Sequence, residues 1–332
     1  MSGTVTLGFV IFPGFPMACL TSAIEPLRAA NEIAGRTAFA WRVLSETSAP
    51  VTSSAGVVFA PDDTLENAQN LDYIFLTSSP TGSFQTPGKA QAILQRHLRA
   101  GKTIGGFSGG IFPLARTGLM KGHPTSVHWC YDTAFCTEFP ELEPVQTVIC
   151  KGEQRLTASG AAAVFDLMLG LIETQLSAEI MTEVACWFQH PFVRTGEVTQ
   201  KTPSLTTADT TDSMPKQISK AIQMFAEHIE DPVQIKDVAA AVNMSTRSLE
   251  RSFRRATGES PLKYYRLLRL KQARQLVLYS SDTITEIAYS VGYSSTSPML
   301  NHYKEVYGVS PQDDRKNRNS FRVTDGSCLP SV

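Results

Sequence analysis

No apolar run in this 332-residue sequence approaches the roughly 20 residues that a helix needs to cross a bilayer, so no membrane partner is expected. The opening "TVTLGFVIF" lacks a basic lead and a cleavage site, which argues against a signal peptide and for a cytoplasmic chain. There is no C-x-x-C pair. The six cysteines (Cys19, Cys130, Cys136, Cys150, Cys186 and Cys328) are scattered, which fits free thiols in a reducing compartment better than a disulfide framework. His123 and His128 have no companion ligands near them, so neither a metal nor any other cofactor is expected. Charge is sparse as well, at 18% of residues with a net of −1, whereas hydrophobic residues make up 42%. Such a chain is globular rather than disordered, and long enough for two domains with separate cores.

The small net charge conceals an asymmetry. Residues 216–320 carry 16 Lys and Arg against 11 Asp and Glu, a balance of +5, which leaves 14 against 20, or −6, for the remainder. A basic C-terminal third on an acidic body suits a protein of which one part meets a polyanion.

Upstream of residue 195, apolar runs alternate with helical stretches. "VTLGFVIF", "FAWRVL", "DYIFLTS" and "KTIGGFS" read as strands, with further ones starting near Thr125 and Val145; helices are predicted near 16–34, 87–100, 109–117 and 160–176. Near-continuous apolar strands separated by helices imply an α/β domain, a mostly parallel sheet covered on both faces. The pattern then fails. "TGEVTQKTPSLTTADTTDSMP" is Thr-rich and nearly free of large apolar residues, so 196–215 reads as a flexible linker.

Beyond it the pattern is all helical and contains a repeat. "IKDVAAAVNMS" (235–245) recurs 49 residues later as "ITEIAYSVGYS" (284–294). Each copy is a short helix that stops at Asn243 or Gly292, residue types that tolerate a left-handed turn. Ser245 and Ser294 follow as the expected N-caps of a second helix, which completes a helix-turn-helix signature. In the first copy, Arg247, Arg251 and Arg254 share one face of the second helix while Leu249, Phe253 and Ala256 share the other. Three guanidiniums with few acids among them suit phosphate oxygens and guanine edges, with Ser245, Thr246 and Ser248 beside them at the helix start. In the second copy Met299, Tyr303 and Val306 form the buried stripe. Ser295, Thr296, Ser297, Asn301 and Lys304 are its expected DNA contacts, and Pro298 falls in the first turn, where a missing N–H does little harm. "SPLKYYRLLRLKQARQLVLYS" reads as one helix that holds the two units apart.

The stretches "DVAAAVNMSTRSLERSFRRATGESPLKYYRLLRLKQARQLV" and "ITEIAYSVGYSSTSPMLNHYKEVYGVSPQDDRK", with closures at Gly258–Pro261 and Gly308–Pro311, resemble the AraC/XylS family of bacterial transcription regulators. The resemblance implies two recognition helices in successive major-groove segments, with promoter DNA and RNA polymerase as partners. One departure is "SPMLNHY", where the family's pattern usually carries a basic residue near Asn301. "AIEPLRAANEIAG" (23–35), "IGGFSGGIFPLARTGLMKGHPTSVHW" (104–129) and "LTASGAAAVFDLMLGLI" (156–172) resemble the PfpI-like branch of the type 1 glutamine amidotransferase superfold. That branch places a cysteine at a strand–helix elbow, a His shortly after the next strand and a Glu on the first helix. The matching positions here are Ser108, His128 and Glu25. The combination of both halves is similar to regulators that answer to arginine, carnitine or glycine betaine.

Gly106-Phe107-Ser108-Gly109-Gly110 is also the G-x-S-x-G pattern of a serine hydrolase. A serine there needs a bonded, oriented base, and the late histidines, His190 beside Pro191 and those in the basic third, do not suit a triad. Exchange of a thiol for a hydroxyl retains hydrogen bonding and removes the nucleophile. Ser108 is therefore expected to hold a ligand, with a Ser108-dependent hydrolase or amidase as the alternative. Glu25 sits on an otherwise apolar helix and needs a partner, which is a cationic ligand group, Ser108 or Arg28. His128 either orients a ligand carboxylate or is a satisfied half-buried histidine. Phe12, Phe15, Trp129 and Tyr131 either cage a quaternary ammonium by cation–π attraction or belong to the core. The expected organisation is a PfpI-like sensing domain with a flavodoxin-like sheet at 1–195, the linker at 196–215, an all-α AraC-type DNA-binding domain with two helix-turn-helix units at 216–320, and a disordered tail at 321–332. The expected function is a homodimeric, non-enzymatic activator controlled by an amino acid or quaternary ammonium metabolite.

Overall fold

The computed structural model describes residues 3–190, 198–200 and 215–317, in two compact units that divide between Gln200 and Lys201. Residues 201–214 of the expected linker and the expected tail at 321–332 lie outside the described residues. Residues 198–200, also assigned to the linker, are instead bound to the first unit. Val148 N–H donates to Val198 O at 2.8 Å, and Thr199 forms an antiparallel bridge with Thr147.

The first unit runs β1 (Val5–Ile11), α1 (Met17–Ala34), β2 (Phe39–Ser45), β3 (Val51–Thr52), β4 (Val58–Phe59), β5 (Asp63–Thr64), β6 (Tyr73–Ser78), α2 (Pro87–Arg99), β7 (Thr103–Ser108) and α3 (Ile111–Arg116). It continues with β8 (Thr125–Ser126), α4 (Asp132–Glu138), β9 (Pro144–Val145), β10 (Ile149–Lys151), β11 (Arg155–Ala158), α5 (Ala161–Gln175) and α6 (Ala178–Trp187). Seven strands form one sheet in the order β10-β11-β7-β6-β1-β2-β5, with every pairing parallel except β10–β11. β1 and β6 are buried on both faces along most of their length, as a parallel sheet between helices requires. Phe75 stacks on Phe107 at 4.5 Å and on Phe9 at 6.1 Å, tying the three central strands together beneath α1 and α5. The chain departs from β1 in both directions across the sheet, so the carboxyl ends of β1 and β6 part at a topological switch point. The strands expected near Thr125 and Val145 shrink to two-residue segments that pair with each other and not with this sheet. Pro144 removes a ladder donor there, and Pro124 precedes the other segment.

The second unit comprises α7 (Lys216–Glu227), α8 (Ile235–Ala241), α9 (Thr246–Thr257), α10 (Pro261–Tyr279), α11 (Ile284–Ser290), α12 (Thr296–Tyr307) and α13 (Pro311–Asn317). Leu249 and Phe253 of α9 are buried against Phe225 of α7 and Tyr264 of α10. The closures repeat: Gly258 and Gly308 take left-handed conformations (φ 80° and 74°), and Ser260 and Ser310 accept from Lys263 N–H and Asp313 N–H to start α10 and α13. α10 runs as one helix between the two copies, as expected, and the second copy also reaches back past it. A Cβ on Gly292 would lie 2.5 Å from Ile229 O and 2.5 Å from Pro232 Cγ, so the second copy's turn rests on the chain between α7 and α8. Arg269 of α10 fastens that turn by donating to Val291 O at 2.7 Å while its guanidinium lies 4.3 Å from the Tyr293 ring.

Candidate functional site

β7 ends on Ser108, which is 1% exposed and has a left-handed φ of 52°. The glycines after it make the elbow possible. A Cβ on Gly109 would collide with Ser78 O, and one on Gly110 with Leu76 O, so only glycine lets the start of α3 lie directly on β6. Pairing of Ala158 with Phe107 places buried Ser159 beside Ser108 in the parallel register. Gly160, next along, is the N-cap of the 15-residue α5 and carries no side-chain cap. The His128 ring closes on this point: a Cβ on Gly160 would lie 3.4 Å from its Cδ2 and 3.8 Å from its Nε2.

The state of His128 follows from its neighbours. Its Nδ1 lies 3.0 Å from Cys130 Sγ and 3.3 Å from the Cys130 amide nitrogen, and both of those groups are donors. Nδ1 is thus the acceptor, and the hydrogen-bond network assigns the proton to Nε2. Burial pushes the imidazole pKa down to about 4 and pushes the Cys130 thiol up, so both are neutral at physiological pH. A neutral ring with an Nε2–H beside a helix N-terminus favours an acceptor such as a carboxylate. Thr77 adds an orphan. Its Oγ1, at the carboxyl end of β6 and opposite Ile11 of β1, is buried with no hydrogen-bond partner among the described residues.

The other sensing candidates separate. Of the three partners open to Glu25, the structure shows Arg28, which donates to its carboxylate at 3.0 Å, with the Glu25 side chain 46% exposed. The four aromatics do not form one cage. Phe12 packs edge-on to Phe84 at 4.9 Å and Phe15 to Phe59 at 5.2 Å, both inside the core. Tyr131 is fully buried against Phe112. Trp129, half-buried, and Tyr131 do flank His128, with centroids 5.4 and 5.7 Å away. Ser159, Gly160 and Thr77 were not anticipated as site residues, and neither was Gln200. Small residues and a lone amide carry no sequence pattern of their own; only the register of β11 reveals the first two.

The DNA-binding candidates lie where the spacing puts them. Arg247, Arg251 and Arg254 are all exposed on α9 and form no ion pair among the described residues, opposite the buried Leu249 and Phe253. Ser245 caps the helix by accepting from Ser248 N–H at 3.2 Å, and Thr246 is exposed beside it. In the second copy Ser297, Asn301 and Lys304 are exposed over buried Met299 and Tyr303, Thr296 is half-buried, and Val306, expected in the buried stripe, is 40% exposed near the end of the helix. The expected cap Ser294 is displaced by Ser295, which sits at the N-cap without a side-chain bond. The turn holds one residue more here, Val291–Ser295 against Val242–Ser245, and the cap moves with it.

Comparison with known proteins agrees with this arrangement. Residues 238–317 match the helix-turn-helix domain family. The chain is 31% identical to the HTH-type transcriptional regulator GbdR of Pseudomonas aeruginosa (strain UCBPP-PA14), covering 94% of this chain and 84% of that one. It is also 31% identical to the HTH-type transcriptional regulator ArgR of the same species, strain PAO1, over 98% and 97% of the two chains. Among solved structures, an AraC family transcriptional regulator from Pseudomonas putida shares the fold over 55% of this chain and 99% of its own, with a TM-score of 0.50 at 21% identity. The chain belongs to the AraC-type HTH transcriptional regulators, the family of GbdR and ArgR, with its helix-turn-helix domain preceded by an α/β domain built on a mostly parallel sheet.

Proposed function

We propose that this regulator is an activator switched by a small metabolite bound at the elbow of the first unit, where Ser108, Ser159 and the Nε2–H of His128 meet the N-terminus of α5. The observation that carries this reading is that β7 and β11 end side by side, Ser159 following the Ala158–Phe107 pair next to Ser108, with the His128 ring against Gly160 at the start of α5, so that groups of a kind that donates to an anionic oxygen lie at the carboxyl ends of these strands. The effector is accordingly a carboxylate-bearing amino acid or quaternary ammonium compound, with Trp129 beside His128 as the aromatic face for its cationic end. His128 acts as a hydrogen-bond donor and not as a base, since its Nδ1 is held by Cys130 and its Nε2 carries the proton. Arg247, Arg251 and Arg254 contact the promoter, and the second copy adds Ser297, Asn301 and Lys304. The protein works as a homodimer whose two DNA-binding units engage paired half-sites beside RNA polymerase.

A thermal-shift screen of amino acids, L-carnitine and glycine betaine against the full chain tests this, because a bound ligand raises stability by mass action. Ser108→Ala should weaken the effector that emerges by about 1.5–3 kcal/mol, the worth of a hydrogen bond to a charged group, and leave basal DNA affinity unchanged. Stoichiometric fluorophosphonate labelling of Ser108 together with turnover would instead assign the elbow to a hydrolase. Light scattering that finds only a 36.3 kDa monomer at micromolar concentration would overturn the dimer.

A further inference from the structure

The first unit ends at Gln200, and that residue grips the main chain on both sides of His128. Gln200 Nε2 donates to Val127 O at 2.6 Å, and Trp129 N–H donates to Gln200 Oε1 at 2.9 Å. A side-chain amide thus pairs with Val127 and Trp129 as a neighbouring peptide group would. Its own backbone is fixed as well, with Gln200 N–H donating to Gln146 O at 2.8 Å beside the Thr147–Thr199 bridge and the Val148–Val198 bond. The segment that leads into the DNA-binding unit is therefore clamped to the loop that presents His128 and Trp129.

We infer that Gln200 positions the His128 loop and couples it to residues 198–200, so that a change in the loop is transmitted to the chain entering the DNA-binding unit. One bond needs a donor and the other an acceptor, and the planar amide of Gln200 offers the two side by side in the spacing of a peptide group. A ligand that drew His128 or Trp129 toward the elbow would shift Val127 O and Trp129 N–H relative to each other. The clamp would then tighten or open, and the start of the connecting chain with it. Coupling of this kind is reciprocal, so a change at 198–200 must register at 127–130 by the same factor.

This inference rests on the reading of His128 as an effector contact, but its test needs no effector, so failure of the metabolite screen and failure of the coupling are separate results. Hydrogen exchange is followed by mass spectrometry on the full-length wild type, Gln200→Ala, Gln200→Glu, His128→Ala and the double variant His128→Ala/Gln200→Ala. Gln200→Ala is expected to speed exchange of the Trp129 amide about tenfold or more, with α5 and β7 unchanged. Gln200→Glu keeps the acceptor and loses the donor, so it should retain protection at Trp129 while loosening Gln200 and Val148. His128→Ala removes the acceptor of the Cys130 amide and should speed exchange at 198–200, an effect that disappears in the Gln200→Ala background. A purely structural glutamine would not give that non-additivity. If Gln200→Ala exchanges everywhere because it unfolds, Gln200→Glu and a further double variant, His128→Ala/Gln200→Glu, decide in its place. His128→Ala leaving 198–200 unchanged, or acting equally with and without Gln200, overturns the coupling.

Discussion

The two helix-turn-helix copies share a core and differ in the surface they offer. Counted from their helix starts, Leu249 and Phe253 of α9 correspond to Met299 and Tyr303 of α12, all four buried. On the outer face Arg247, Arg251 and Arg254 correspond to Ser297, Asn301 and Lys304, so three cations become one. Packing constrains the inner face of both copies to apolar bulk, while the outer face answers only to the partner. Under the proposed function the first copy is the one to supply electrostatic attraction and base contacts together. The second copy offers short polar side chains and one exposed cation, which the same proposal assigns to a phosphate.

The largest expected difference between the copies is mechanical. Asn243 and Gly292 both occupy left-handed turns, at φ 56° and 74°, but only Gly292 lies against backbone, at Ile229 O. Gly292→Ala should destabilise the full chain by about 2–5 kcal/mol, combining left-handed strain with overpacking, whereas Asn243→Gly should change stability by less than about 1 kcal/mol. Urea denaturation of the two variants checks this. Equal effects would mean that the second turn is not pressed against the chain between α7 and α8.

The next contrast concerns affinity. Arg251→Ala should weaken binding to promoter DNA by about 1–3 kcal/mol and relax preference at the base it contacts. Lys304→Ala should instead lower affinity roughly uniformly across sequences and reduce the salt slope by about 1. Fluorescence anisotropy across a salt series separates the two. A Lys304 variant that lost sequence preference would show that the second copy reads bases as fully as the first.

Much of this was legible in the sequence, for identifiable reasons. Apolar spacing set the helices of both copies, and the run of glycines around Ser108 fixed the elbow, because both signals are local. The position of Ser295 was not legible, since one added turn residue leaves the apolar period of α12 intact while moving the cap. The partner of Glu25 was left open, because an i,i+3 spacing permits the Arg28 pair without deciding between it and a tertiary partner. Gln200 lay in a Thr-rich stretch whose composition resembles a linker, and its two bonds to Val127 and Trp129 arise only from tertiary contact. Composition there described the stretch as a whole and missed the three residues that dock.

The smallest expected effect is the sharpest test of the copy-to-copy comparison, because it compares one substitution at two matching positions. Ser245 accepts from Ser248 N–H and so satisfies one of the orphan amides at the start of α9. Ser295 holds the same N-cap position on α12 without a side-chain bond, and Pro298 in that first turn has no amide hydrogen to satisfy. Ser245→Ala should therefore destabilise the chain by about 1 kcal/mol, the usual worth of a serine cap, while Ser295→Ala should fall within about 0.5 kcal/mol of wild type. Chemical denaturation resolves a difference of that size when both variants are measured side by side. If Ser295→Ala costs as much as Ser245→Ala, the extra turn residue has not released the cap, and the two copies are closer in construction than their geometry indicates.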